Sequence, residues 1–226
     1  MNMKIAILGG TGEQGFGLAL RLAKNYEIII GSRSREKAEE SAERIKKILS
    51  SKKISYRNVI GMENREASRE GDIVILSIPY QHTISTIKNL REELKGKIVV
   101  SIGVPLAGII GDKPTRVILP PEGSVAEMVQ QYLKDSKVVS AFQNVSAKVL
   151  ECIDEPVDCD ILICGDNEEA KRKVIEVVNS IEGCKGIDCG ELEMSRYVEQ
   201  ITPILIGLNI KYKLKGSGIR ITGLRM

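Results

Sequence analysis

The chain has 226 residues, 42% of them hydrophobic, and its 33 basic and 30 acidic side chains leave a net charge of only +3. That is enough apolar material for one sizeable core, while the near-neutral balance supplies no field for an extended polyanion and argues against a nucleic-acid surface. No run of about 18 uncharged apolar residues suggests a membrane span.

Met1 to Lys4 lead straight into a strand instead of a signal-peptide core, so the reading is cytoplasmic. The five cysteines, Cys152, Cys159, Cys164, Cys184 and Cys189, all lie in the second half. An odd number, one histidine in the whole chain and no C-x-x-C pair argue for reduced thiols and no metal site.

Apolar runs and helical patterns alternate from the start. Strands are expected at Lys4–Leu8, Glu27–Ile30, Tyr56–Ile60, Asp72–Ser77 and Lys97–Ile102, with helices at Gln14–Lys24, Arg35–Leu49, Asn64–Arg69 and Gln81–Leu94 between them. This βαβ alternation predicts parallel strands joined by right-handed crossovers, with helices on both faces. The segment from Val104 to Ser124 carries four prolines and three glycines and reads as a long functional loop. Ser124 caps the next helix, with Glu127 completing a capping box. Strands at Lys137–Phe142 and Ile161–Gly165, a helix at Asn167–Ile181, a short strand at Gly186–Asp188 and a final helix at Glu191–Tyr212 complete the chain.

The fold class is therefore α/β, a doubly wound, Rossmann-type, mostly parallel sheet with a small C-terminal helical domain. Residues 1–188 form the dinucleotide-binding domain, and residues 189–226, a helix plus tail, complete the cleft. On that last helix Met194, Val198, Ile201, Leu205 and Leu208 make one apolar stripe. Ile204, Ile206 and Ile210 need cover on another side, which favours a homo-oligomer, dimer or tetramer.

Gly10-Thr11-Gly12-Glu13-Gln14-Gly15 matches G-x-G-x-x-G between a strand and a helix, the setting that gives this motif meaning. Gly10 allows the tight turn, Gly12 lets backbone approach a pyrophosphate, and Gly15 lets helix pack on strand. Free amides at the helix start attract the anion, and Glu13 is expected to face solvent. The second strand ends in Gly31-Ser32-Arg33, where a carboxylate would hold the ribose 2′-hydroxyl of NAD. An arginine and a hydroxyl there suit a 2′-phosphate instead, so the cofactor is expected to be NADP. Arg35 and Lys37 lie close by, either as phosphate ligands or as solvated charges.

The blocks "KIAILGGTGEQGFGLALRLAKNYEIIIGSR", "DIVILSIPYQHTISTI", "KIVVSIGVP", "KVVSAFQNVSA" and "LEMSRYVEQITPILI" together resemble the archaeal and bacterial F420-dependent NADP reductases over nearly the whole chain. The first block alone is shared with pyrroline-5-carboxylate reductases. The resemblance implies an oxidoreductase with two cofactors, coenzyme F420 and NADP, that exchanges hydride between C5 of the deazaflavin and C4 of the nicotinamide. By position it implies NADP contacts at Thr11, Gly12, Glu13, Gln14, Ser32, Arg33 and Lys37. It implies ring contacts at Ile78, His82, Val104 and Ala147, and a tail around Ser217 that closes over NADP. Gln143 departs from the pattern, since many family members carry histidine there.

No catalytic side chain is required, because hydride transfer between two bound cofactors needs mainly positioning. His82 is a cofactor contact or a helix cap. Ser101, Gly103 and Val104 offer a close approach to the nicotinamide or merely a turn. Arg196 pairs with Glu199, three residues on, or points into the cleft. Alternatives outside this family reading are an NADP-dependent imine or small-carbonyl reductase and a non-catalytic NADP sensor.

Overall fold

Short β-branched runs without polar alternation must be covered from both sides. They form the inner strands of an eight-stranded sheet in the computed structural model, which describes residues 3–224. The strands are β1 (Lys4–Leu8), β2 (Glu27–Ser32), β3 (Val59–Glu63), β4 (Ile73–Leu76), β5 (Ile98–Ser101), β6 (Lys137–Ser140), β7 (Cys159–Gly165) and β8 (Cys184–Asp188). Their order is β3-β2-β1-β4-β5-β6-β7-β8, parallel throughout except for the antiparallel β6–β7 pair. The first six strands therefore reverse direction of growth between β1 and β4, the switch point where open α/β sheets bind ligands.

Helices α1 (Glu13–Leu22), α2 (Arg35–Ser51), α3 (Asn64–Glu70), α4 (Tyr80–Asn89), α5 (Arg91–Leu94), α6 (Val125–Tyr132), α7 (Ala147–Glu151), α8 (Glu168–Asn179) and α9 (Ser195–Tyr212) cover the sheet. Alternate residues of β1 serve opposite faces. Ile5 and Ile7 pack with Leu18, Ile45 and Val174 from α1, α2 and α8, while Ala6 and Leu8 pack with Ile87 and Val129 from α4 and α6. Each fully buried Ile or Leu here contributes about 1.5–3 kcal/mol.

Several expected boundaries move. The third strand is Val59–Glu63 and not 56–60, because Tyr56 serves as a partly buried prop beside α2, its hydroxyl 3.2 Å from Ser50 Oγ. Gly61 lets the strand run under α2, where a Cβ would meet the Ala38 carbonyl carbon at 2.3 Å. The helix expected over 81–94 breaks at Leu90, whose φ of −117° and ψ of 11° end α4 before α5 begins. The 104–124 segment is not featureless: it holds a 3-10 turn at Ala107–Ile110 and a bridge between Leu106 and Val117. A short 3-10 turn at Leu192–Met194 precedes α9, so the last helix starts at Ser195.

The sequence offered no element between β6 and β7, yet α7 lies there, held by the buried side chain of Arg21 on α1. The guanidinium donates to the carbonyls of Leu150 (2.8 Å), Val149 (3.0 Å), Cys152 (2.6 Å) and Glu155 (2.9 Å). A cation at the carbonyl end of a helix satisfies orphan acceptors and complements the dipole. The same dock brings the turn after β6 against the start of α1, where Gln14 Nε2 donates to the Val145 carbonyl at 3.2 Å.

Candidate functional site

A cleft of about 1070 Å³ opens along the carboxyl ends of β1, β2, β4 and β5. Its lining includes Thr11, Gly12, Glu13, Gln14, Ser32, Arg33, Lys37, Ile78 and His82, so the structure brings nine of the sequence-derived residues to one surface. Gly10 and Gly15 lie behind it, where a Cβ on Gly15 would approach Gly10 Cα at 2.8 Å. Glu13 is exposed at the cleft mouth. Val104 follows the lining residue Gly103 but is not itself in the lining. Ala147 and Ser217 lie away from the lining but near each other, since Gly216 packs on Ser146, and Ser217 Oγ donates to the Leu205 carbonyl at 3.2 Å.

The turn at the end of β1 is built differently from the motif's usual numbering. Gly9, with φ of +75°, takes the left-handed position, and a Cβ there would sit 2.2 Å from the Ser77 carbonyl oxygen. The doublet Gly9-Gly10 was the available signal. Gly12 caps α1 with no side chain to bond the first-turn amides, so those donors remain available to an anion.

At the other end, Ser32 is buried and its Oγ accepts from the Ser34 amide at 3.3 Å, while Ser34 Oγ caps α2 by accepting from Lys37 N at 3.3 Å. Arg33 and Lys37 are exposed and make no ion pair among the described residues, whereas Arg35 pairs with Glu66 and Glu39. Residues that sequence reasoning missed join them from α3: Asn64, whose buried Oδ1 has no partner, and Arg65, which pairs with Glu93 and donates to the Asn89 carbonyl at 2.8 Å. Their closeness to β2 depends on strand order, which no local pattern encodes.

His82 is exposed on the cleft wall, and its imidazole makes no hydrogen bond to the described residues. Ser101 is fully buried behind the wall, its carbonyl accepting from Gln143 Nε2 at 2.9 Å. Gln143 also donates to Ser140 Oγ at 2.8 Å and accepts from Thr202 Oγ1 on α9 through its backbone carbonyl at 2.9 Å. The preceding Phe142 has φ of +69°, a left-handed position costly for a bulky side chain, in the turn directly after β6.

The expected Arg196–Glu199 pair does not form. Arg196 instead grips Glu127 with Nε and Nη2 at 2.8 and 2.5 Å. Glu199 is buried and accepts from the amides of Val125 and Ala126 at 2.9 and 3.1 Å, capping α6. Burial pushes its carboxyl up to about 8, against those two amide bonds, which favour the anion. The capping box is half realised: Ser124 Oγ accepts from Glu127 N at 3.0 Å, but the Glu127 carboxylate turns to Arg196 and to the Ser124 hydroxyl. Three residues, less than one turn, apart on one helix, Arg196 and Glu199 thus reach different parts of α6.

Residues 4–105 match the family model of the coenzyme F420-dependent NADP oxidoreductases. Across 99% of the chain and the whole of the relative, the sequence is 69% identical to the F420-dependent NADP reductase of Methanocaldococcus jannaschii. The chain belongs to the F420-dependent NADP reductases. The family's Methanothermobacter marburgensis member is 43% identical over 98% of this chain and 99% of its own. A crystal structure of a candidate F420-dependent NADP reductase from Arthrobacter sp. FB24 covers 98% of this chain and 100% of its own with a TM-score of 0.81 at 24% identity, which speaks for the fold.

The residues present fit the adenine-nucleotide half of the family's cofactor pair. A Cβ on Gly12 would meet only the Gly9 carbonyl oxygen, at 3.4 Å, and otherwise project into open space over free helix amides, the cradle a diphosphate fills. Unpaired cations at the end of β2 match a further phosphate. Among the described residues no group of three metal-ligating side chains occurs, and no helix is long and apolar enough to cross a membrane.

Proposed function

We propose that this family member transfers hydride, reversibly, between reduced coenzyme F420 and NADP+, with the residues below holding the two cofactors face to face. The bound cofactors supply the redox chemistry, the nicotinamide C4 and the deazaflavin C5 being the reacting atoms. The protein's own task is positioning. Gly10, Thr11, Gly12, Glu13, Gln14 and Gly15 form the diphosphate turn, with the α1 amides as donors. Ser32, Arg33 and Lys37 hold the 2′-phosphate, and Asn64 and Arg65 close that end of the cleft. Ile78 and Gly103 give an apolar, close-fitting floor for the nicotinamide, with His82 at its edge. F420 lies on the C-terminal side, toward Val104 and Ala147.

The observation that carries the NADP assignment is the pair of unneutralised cations, Arg33 and Lys37, on a cleft where β2 itself ends in Ser32 and Arg33, the acidic Glu63 entering the lining from β3. The 69% identity over the full chain carries the F420 assignment and leaves an imine reductase or a sensor unfavoured. We read the enzyme as a cytoplasmic homo-oligomer, supported by five cysteines that are all free thiols and by apolar side chains exposed along α9.

The test mixes purified protein with reduced F420 and follows the return of oxidised-deazaflavin absorbance on adding NADP+, with NAD+ as control. Turnover with NADP+ and little with NAD+ is expected. Tight NADPH binding without F420 turnover, or oxidation of NADPH by a cyclic imine with F420 ignored, would sink the reading.

A further inference from the structure

Four of the five cysteines meet in two cross-strand pairs. β7 and β8 run in parallel with Cys159 opposite Cys184 and Ile163 opposite Asp188. Because the cysteines on each strand are five residues apart, the same register sets Cys164 beside Cys189. The ladder continues to that point, with the Cys189 amide donating to the Ile163 carbonyl at 2.8 Å and the Gly165 amide to the Gly190 carbonyl at 3.0 Å. An odd separation along a strand puts the two pairs on opposite faces of the sheet. Cys159 joins the core beneath α1 and α8, while Cys164 and Cys189 join the small cluster that packs against Val198 and Ile201 of α9. Neighbouring strands lie about 4.8 Å apart, inside the Cα separation that a disulfide spans.

The two pairs differ in chemistry. Cys164 is buried beside Cys189, whose thiol donates to the Ile187 carbonyl at 3.6 Å; the proximity of the two thiols draws Cys189 down to about 7 against the effect of burial and drives Cys164 up. Burial raises both members of the other pair, Cys184 to about 12. Cys159 is further engaged by Asn144, whose Nδ2 donates to its sulfur at 3.4 Å. Each pair thus joins one partly accessible thiol to one buried thiol; they differ in that Cys189 is acidified beside a resolving thiol, while Cys184, equally accessible, is held protonated in the same strand register.

We propose that Cys164 and Cys189 form a reversible dithiol–disulfide modification site beneath α9, oxidised by small-molecule disulfides. The Cys189 thiolate attacks one sulfur of the reagent, breaking its S–S bond and releasing one thiolate. Cys164 then loses its proton and attacks the Cys189 sulfur of the mixed disulfide, forming the Cys164–Cys189 bond and expelling the second thiol. Two electrons pass from the protein sulfurs to the reagent, one disulfide yielding two thiols. Replacing a sulfur contact by a bond draws the ends of β7 and β8 together under Val198 and Ile201. It thereby shifts the seat of the helix that carries Glu199 to α6 and Thr202 to Gln143.

The test uses the full chain with Cys152→Ser, which removes the exposed thiol, incubated with oxidised glutathione and digested without reduction. The expected product has lost two hydrogens, joins the Cys164 and Cys189 peptides, and reverts with dithiothreitol. In the reduced protein at pH 7, iodoacetamide should label Cys189 faster than Cys184 by roughly 100-fold or more. Cys164→Ser in the same background should stop at a glutathione adduct on Cys189. A link between Cys159 and Cys184, a persistent adduct on Cys189 while Cys164 is present, or no oxidation at all would overturn the proposal.

Discussion

Arg33 and Arg35 stand two residues apart and have opposite fates. Arg35 is neutralised by Glu66 and Glu39, while Arg33 projects from the end of β2 with no carboxylate partner among the described residues. In a chain with 30 acidic side chains, leaving that guanidinium unpaired keeps its charge for an anion from outside. A hydrogen bond to a charged group is worth about 1.5–3 kcal/mol, so Arg33→Ala should raise the KM for NADP roughly 10- to 100-fold. NAD lacks the 2′-phosphate, so its KM should change little and kcat should hold. Steady-state kinetics with both nucleotides checks this, and an equal loss for NAD and NADP would remove Arg33 from the phosphate site. Single residues of this kind were legible because their meaning follows from a strand end and a charge. Asn64 was not, because its place beside Gly31 arises only when β3 pairs with β2.

At the scale of elements, α9 is tied to α6 through Glu199, a carboxyl that is 2% exposed and sits on two amides at a helix start. Its burial raises the folded-state value to about 8, above the 4.5 of an unfolded glutamate. Between these limits the folded state holds a proton that the unfolded state has lost, so stability is full below about 4.5 and falls as pH rises toward 8, then levels. The two amide bonds favour the anion and hold the carboxyl below where burial alone would put it. Thermal melts should therefore show the wild type losing Tm by several degrees from pH 5 to pH 8, and Glu199→Gln losing less over the same range. Parallel curves for the two proteins would mean that Glu199 is ionised throughout. The strands and long helices that frame this contact were readable from apolar runs and 3.6-residue periodicity, Lys4–Leu8 to the residue. The contact itself was misread, since spacing on one helix suggested Arg196 with Glu199 while tertiary packing gave each a different partner on α6. Likewise α7 is only five residues long and owes its place to Arg21, too little local signal for any periodicity to reveal.

Over the whole molecule, the apolar surface is concentrated where the chain ends. Along α9 the side that meets the sheet buries Val198 and Leu205, while Tyr197, Ile204, Leu208 and Tyr212, seven and then four residues apart, form a second stripe left facing outward. Tyr197 is 65% exposed and Ile204 62%. One helix that is apolar on two sides calls for a second surface. A stable isologous contact needs about 800 Å² from each partner, and this stripe with the neighbouring exposed Ile210 and Leu214 is the apolar centre on which such a contact would be built. The wild-type protein should accordingly sediment well above the 24.9 kDa of one chain. Ile204→Glu places a carboxylate at the centre of the stripe, where burial without a partner costs several kcal/mol. It should shift the protein to a 24.9 kDa species with its melting curve otherwise cooperative. Sedimentation of the wild type at 24.9 kDa, or an assembly that survives Ile204→Glu, would put the subunit contact elsewhere or nowhere. Because α9 also carries Thr202 to the turn that follows β6, a monomeric variant that loses turnover while still binding NADP would tie assembly to the F420 side of the cleft.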